Sequence, residues 1–270
     1  MNRPNAAQPS RIENALDRIE RDEQVRILYA CESGSRAWGF ESHDSDYDVR
    51  FIYLRRTEWY LTIQHKPDVI ERPVDDGLDI SGWDLPKALE LFRKSNPPLL
   101  EWLQSPIVYR EVGSAAERMR RLMASYYSPI SCMYHYLHMA QGNYREYLQG
   151  EEVRIKKYCY VLRPVLACLW IERGLGVVPT EFEVLVNRLV PGGPLRGAID
   201  ALLRGKRQGI ELDRGPRIPE ISDFLNKEIV RLSAAHTSPS MTRNSEALDA
   251  LFVQTLIEVN GPALREPCRP

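Results

Sequence analysis

The chain has 270 residues, 43% hydrophobic and 27% charged, with a formal net charge of −1. This suits a folded globular protein with chain enough for one large domain or two small ones, and it excludes a global basic field, so any nucleic-acid contact must come from a local patch. Cys31, Cys132, Cys159, Cys168 and Cys268 form no C-x-x-C pair, no apolar run approaches a membrane span of ~20 residues, and MNRPNAAQPSRIENAL has no apolar h-region; a reducing cytoplasm, with no signal peptide and no membrane partner, is expected.

Ser10-Arg11-Ile12-Glu13 has the pattern of a capping box, and Ile12, Leu16 and Ile19 recur at helical spacing, which predicts an amphipathic helix over 11–23. VRILYAC at 25–31 predicts a buried strand. The chain then turns at Gly34-Ser35 into a short helix through Arg36, Ala37 and Trp38, and the polar ESHDS loop leads to a second strand over 46–54. A third strand is expected over 78–83, which completes a small mixed sheet with helices, α+β in character. From residue 84 the period changes. DLPKALELFRKS carries Leu85, Ala88, Leu89 and Phe92 at helical spacing, Asn96-Pro97-Pro98 interrupts it, and PLLEWL makes another short helix. Helices are predicted over 114–126, 129–148, 152–173, 180–189, 194–205, 218–235 and 244–258, so the chain divides into an α+β core over 1–110 and an all-helical domain over 111–260. A frayed tail is expected over 261–270, with its three prolines.

The most informative stretch is 34–48, GSRAWGFESHDSDYD. Strand alternation puts Asp46 and Asp48 on one face, with Tyr47 and Val49 on the other. Charged residues are depleted inside strands, so two of them opening an apolar strand need a reason. Adjacent carboxylates repel unless a cation sits between them, and hard oxygen donors suit Mg²⁺ together with substrate phosphates. The Gly34-Ser35 turn offers N–H groups and a hydroxyl to phosphate oxygens. Arg50 shares the aspartate face and either pairs with one of them or contacts phosphate; a cation there favours the ionised carboxylates. Arg36 either reaches a triphosphate or faces solvent.

Gly-Ser, about ten residues, then Asp-x-Asp between apolar residues resembles the signature of the DNA polymerase β-type nucleotidyltransferase superfamily. The longer string GSRAWGFESHDSDYDVRFIYLR, with 78–109 and KKYCYVLRPVLACLWI at 156–171, is similar to its RNA-repair-pathway branch. Ser33 departs from the pattern, which usually has an apolar residue before the Gly. The resemblance covers roughly 25 to 190. It implies transfer of a nucleoside monophosphate from an NTP, ATP favoured, to an acceptor hydroxyl, with two Mg²⁺ (or Mn²⁺) ions ~3.5–4 Å apart. It also implies a third carboxylate on a neighbouring strand, as base and metal ligand. Asp79, between apolar neighbours on a short strand, fits better than Asp84, which precedes Leu85-Pro86 like a helix cap; Asp75 and Asp76 read as turn residues before Gly77.

In such enzymes a helical domain commonly closes over the nucleotide. Lys156, Tyr160 and Arg163 recur at i, i+4 and i+7 opposite Leu162, Leu166 and Leu169, so the resemblance implies that they meet the triphosphate, with Lys157 and Tyr158 less well placed. An RNA 3′ end is the implied acceptor; the alternatives are AMP transfer to a protein or small molecule, and a non-catalytic nucleotide-binding or antitoxin-like module. His135 and His138 lack further metal ligands, His43 lies in the loop before the aspartates, and Trp59, Trp83, Trp102 and Trp170 read as core.

Overall fold

The structure is a computed structural model that describes residues 7–42, 45–208, 214–234 and 243–261. His43, Cys268 and all but the first residue of the expected tail lie outside the described residues. Helix α1 (Ala7–Glu23) begins before Ser10, so Ser10 is inside the helix and not its cap, and Glu13 instead pairs with Arg110. Strand β1 (Arg26–Glu32) is followed by α2 (Gly34–Trp38), β2 (Tyr47–Leu54), α3 (Thr57–Tyr60), β3 (Val69–Glu71) and β4 (Leu78–Asp84). Next come α4 (Leu85–Arg93), α5 (Pro97–Leu103) and β5 (Val108–Glu111). Asn96 caps α5, its side chain accepting from the Leu99 N–H at 3.2 Å, with Pro97 fixing the first turn.

The five strands form one mixed sheet in the order β3-β4-β2-β1-β5. Strands β2 and β4 are parallel, and the other pairs antiparallel. The short strands β3 and β5 were not expected from periodicity. Ile12, Leu16 and Ile19 of α1 cover one face of the sheet, packing with Val49, Phe51, Tyr53 and Ile80. Each such burial is worth about 1.5–3 kcal/mol.

The other face meets the helical half: α6 (Ala115–Tyr126), α7 (Pro129–Tyr147), α8 (Tyr158–Glu172), α9 (Phe182–Leu189), α10 (Pro194–Arg207), α11 (Pro219–Ala234) and α12 (Glu246–Asn260). The helix expected over 152–173 is broken. Its first residues form β6 (Glu152–Arg154), which pairs antiparallel with β7 (Arg214–Pro216), and then a 3-10 turn, Ile155–Lys157. Among the described residues the region after β5 is therefore helical apart from a two-stranded ribbon. One apolar core runs from Leu28, Tyr29 and Ile52 on the sheet to Leu162 and Leu166 of α8, at the centre of the helices. Among the described residues no helix is long and apolar enough to cross a membrane.

Candidate active site

The site begins where β1 ends. Gly34 has φ +58°, and a Cβ there would fall 2.0 Å from Oδ2 of Asp48. The glycine is thus required twice, by its backbone and by the carboxylate that fills its side-chain space. The Ser33 N–H donates to the Asp48 carbonyl at 2.8 Å, tying the turn to the start of β2. Ser35 is buried in the first turn of α2.

In the parallel pairing of β2 with β4, Asp48 stands opposite Asp79 and Arg50 opposite Ser81. Val49 and Phe51 pack under α1, so Asp48, Arg50 and Asp79 face the helical half. Asp46 precedes the first residue of β2 and is exposed. Asp84 is excluded from this group. It ends β4 five residues on, buried, and accepts from the Tyr60 hydroxyl at 2.6 Å. Burial pushes its carboxyl up to about 6. Asp76 (φ +43°) and Gly77 (φ +71°) make the tight turn before β4, with Arg11 pairing to Asp76 at 3.1 Å.

Negative charge outweighs positive among these groups. The Arg50 guanidinium lies between two carboxylates, 2.7 Å from Asp79 and 3.3 Å from Asp48. The Asp48 carboxyl is nonetheless held above its ordinary range, first by burial, with Arg50 opposing and Asp79 and Asp46 adding to the rise. Arg36 braces the loop that carries Asp46. It donates to the carbonyls of Ser45 (2.7 Å) and Asp46 (3.2 Å) and stacks on Tyr47 at 3.9 Å. Beneath lies Glu32, fully buried, accepting from the Asp48 N–H at 2.9 Å and from the Tyr109 hydroxyl. Burial raises its carboxyl. Glu32 and Tyr109 were missed in the sequence; the available signal was a glutamate closing an apolar run just before Gly34.

Among the described residues no three histidine, cysteine or carboxylate groups converge as a ready metal nest, and Arg50 stands between Asp48 and Asp79. The Asp46–Asp48 pair still fits a hard divalent cation. Asp48 lies on β2 and Asp46 one residue ahead of the strand, both are oxygen donors, and Asp46 adds to the charge at Asp48 that a cation would relieve.

From the helical half, Tyr160 reaches this face. Its phenol lies against Ser35 and within the fields of Asp48 and Asp46. Its ring meets Trp38 and Phe40 edge-on at 5.7 and 5.9 Å. Two ammonium groups approach the same ring, Lys157 at 4.8 Å and Lys206 at 5.4 Å. Lys156 is exposed in the 3-10 turn, ahead of α8. Arg163 is a correction. It is 1% exposed, and its guanidinium pairs with Glu101 at 2.7 Å and donates to the Thr180 carbonyl at 3.2 Å. The shared face of Lys156, Tyr160 and Arg163 fails for two reasons: Lys156 precedes the α-helix, and α8 is buried almost all round. Tyr158 is likewise internal, its hydroxyl 2.6 Å from that of Ser222. Lys157, less favoured by spacing, and Lys206, unmarked by any motif, are the cations that touch Tyr160. His138 bonds to the Tyr134 carbonyl at 2.9 Å. Trp102 is buried and stacks on half-buried Trp83 at 3.9 Å; half-buried Trp59 lies between Arg55 and Lys66.

The model of the RNA repair pathway DNA polymerase beta family matches residues 9–254. The curated protein YcgL of Bacillus subtilis (strain 168), described as uncharacterized, is 51% identical over 251 residues, which is 92% of this chain and 96% of that one. A solved nucleotidyltransferase-like protein from Exiguobacterium sibiricum 255-15 aligns at 12% identity, covering 92% of this chain and 90% of that one, with a TM-score of 0.28. That overlap is too slight to carry any conclusion.

Proposed function

This chain belongs to the RNA repair pathway DNA polymerase beta family, a nucleotidyltransferase of the polymerase β superfamily, and from that premise we propose that it moves NMP from an NTP, ATP favoured, to the 3′ hydroxyl of an RNA. The observation that carries the reading is Asp79 standing in register beside Asp48 on parallel strands, with Asp46 just ahead of Asp48. Asp46 and Asp48 would hold Mg²⁺ or Mn²⁺. Bound there, the cation supplies neutralisation of phosphate charge in the transition state.

The chain's own groups do the rest. The acceptor oxygen attacks the α-phosphorus, the bond to the pyrophosphate oxygen breaks, and the hydroxyl proton passes to Asp79. Arg50 favours the charged form of Asp48. Gly34 and Ser35 offer backbone and hydroxyl donors to phosphate, while Arg36 acts indirectly by fixing the loop of Asp46. Tyr160 approaches from the helical half, and Lys156, exposed in the turn ahead of α8, would offer a point charge to phosphate. Protein groups contribute chiefly position and charge compensation in such transfers. RNA as acceptor is supported by the family's description; with a net charge of −1, the contact would be a local patch. The described cysteines are buried free thiols, which supports work in a reducing cytoplasm.

The test is incubation of the purified chain with each NTP labelled at the α-phosphate, Mg²⁺ or Mn²⁺, and RNA, protein or no acceptor. Label on the RNA 3′ end is expected. Label on protein or on a small molecule would move the acceptor, and label released nowhere would make the fold a nucleotide-binding module.

A further inference from the structure

Lys206 sits in the last turn of α10, yet it is only 7% exposed. An ammonium on a residue so largely buried normally has a carboxylate or carbonyl beside it, because withdrawing its charge from most of its water without one is costly. Among the described residues the Lys206 ammonium makes no hydrogen bond and no ion pair. Its Nζ rests on two aromatic faces, Phe40 at 4.4 Å and Tyr160 at 5.4 Å. Ring faces attract cations, but they compensate less than an anion does. Burial lowers its pKa; Cys159 and Glu41 oppose the fall, and Lys157 and Lys156 add to it. The nearest amines therefore make the shortage of negative charge worse.

The position of this shortage matters. Tyr160 has Lys206 and Lys157 over its ring and the fields of Asp48 and Asp46 at its hydroxyl. A cationic group and an acidic group thus flank one phenol. Their spacing is held by two hydrogen bonds: the Arg207 side chain donates to the Gly39 carbonyl at 3.3 Å, and the Phe40 N–H donates to the Ser35 carbonyl at 3.0 Å. The end of α10 is in this way fixed to the turn that begins at Gly34. A ligand that satisfies both sides must carry several negative charges in a short chain. One end would meet a cation held by the aspartates, and the other would meet amines directly.

We propose that Lys206, seconded by Lys157, binds the terminal phosphates of the nucleoside triphosphate and then the leaving pyrophosphate. This rests on the nucleotidyl-transfer reading of the same site and adds a residue that no motif marks. The ammonium exchanges ring contacts for phosphate oxygens, so its missing counter-charge arrives with the substrate. Lys206 touches no reacting bond and acts by holding the phosphates in place.

The experiment is calorimetric titration of the full chain in Mg²⁺ with ATP, inorganic tripolyphosphate and AMP, for the wild type, Lys206→Met and Lys206→Arg. Lys206→Met should bind ATP and tripolyphosphate about tenfold to a hundredfold more weakly, the scale of one charge-assisted hydrogen bond. AMP affinity should be unchanged, and Lys206→Arg should recover most of the loss. Without ligand Lys206→Met should melt at or above the wild-type temperature, since a largely buried charge with no anionic partner is gone. Unchanged tripolyphosphate affinity, an equal loss for AMP, or a lower ligand-free melting temperature would each overturn the assignment. A wild type that binds ATP while Lys206→Met binds it equally removes only Lys206. A wild type that binds no ATP removes the nucleotidyl-transfer reading as well.

Discussion

Arg163 and Arg50 each hold a carboxylate at 2.7 Å, but their surroundings differ. Around Arg163 every charge is matched. Glu101 also accepts from the Tyr136 hydroxyl at 2.7 Å and the half-buried Trp38 indole at 3.0 Å, and Arg163, Glu101 and Tyr136 are buried. Around Arg50 one guanidinium serves Asp48 and Asp79 with Asp46 adding further charge, and the group is half-exposed. The first cluster joins α5, α7 and α8 and has no capacity left for a ligand. The second has an excess of negative charge at an accessible place, where chemistry on a phosphate needs it.

The contrast predicts unequal costs. Glu101→Gln or Arg163→Met should each lose ~3–5 kcal/mol of stability by urea unfolding, because the remaining partner is buried and unpaired. Arg50→Met should lose ~1 kcal/mol or less, as a half-exposed pair would. Equal losses would erase the distinction. Gly34→Ala comes next, at ~2–3 kcal/mol. About 1–2 kcal/mol of that is the cost of a left-handed residue, and the rest is the collision with Asp48. In an Asp48→Ala background the collision should vanish, so a double-mutant cycle should show coupling; strict additivity would mean that the carboxylate does not occupy that space.

Asp84 sharpens the comparison by pH. Its carboxyl is pushed up to about 6 by burial, against the Tyr60 hydrogen bond that lowers it. Since the folded value exceeds the unfolded one, its contribution to stability is full below about pH 4 and is lost as pH rises through about 6. Asp84→Asn should remove this decline, worth about 1–3 kcal/mol between pH 4 and 7. Parallel stability–pH curves for the two proteins would contradict it. Asp84 would then resemble the site acids less in energetics, though its place away from them would stand.

The sheet side of the site was legible because strand alternation is strict. The apolar run after Asp48 marked the strand, although β2 starts at Tyr47 and leaves Asp46 just ahead of it. The choice of Asp79 over Asp84 followed from local context, a strand interior against a helix start, and the pairing of β2 with β4 places Asp79 beside Asp48. The helical side was less legible. Spacing within a helix tells which residues share a face only if the helix is continuous, and the ribbon of β6 with β7 interrupts this one at Lys156. Strand β7 lies sixty residues on, so no local pattern announced the pairing. Arg163 is assigned to phosphate in the sequence through the face it would share with Lys156 and Tyr160 and the family's helical domain; the apolar run around it, VLRPVLACLWI, is the sign that it is buried and paired. Lys206 lies in an ordinary basic helix end, Gly205-Lys206-Arg207. Only packing against Phe40 and Tyr160 distinguishes it from its neighbours.

The central claim is that Asp46 and Asp48 carry charge that a divalent cation and a nucleotide relieve. The most direct measurement is the melting temperature of the wild type and Asp48→Asn, without metal and with Mg²⁺ and ATP. Removing one of several like charges should leave the metal-free variant melting at or above the wild type, and Mg²⁺ with ATP should raise the wild type alone. A metal-free variant that melts several degrees lower, or an equal rise in both proteins, would contradict the account.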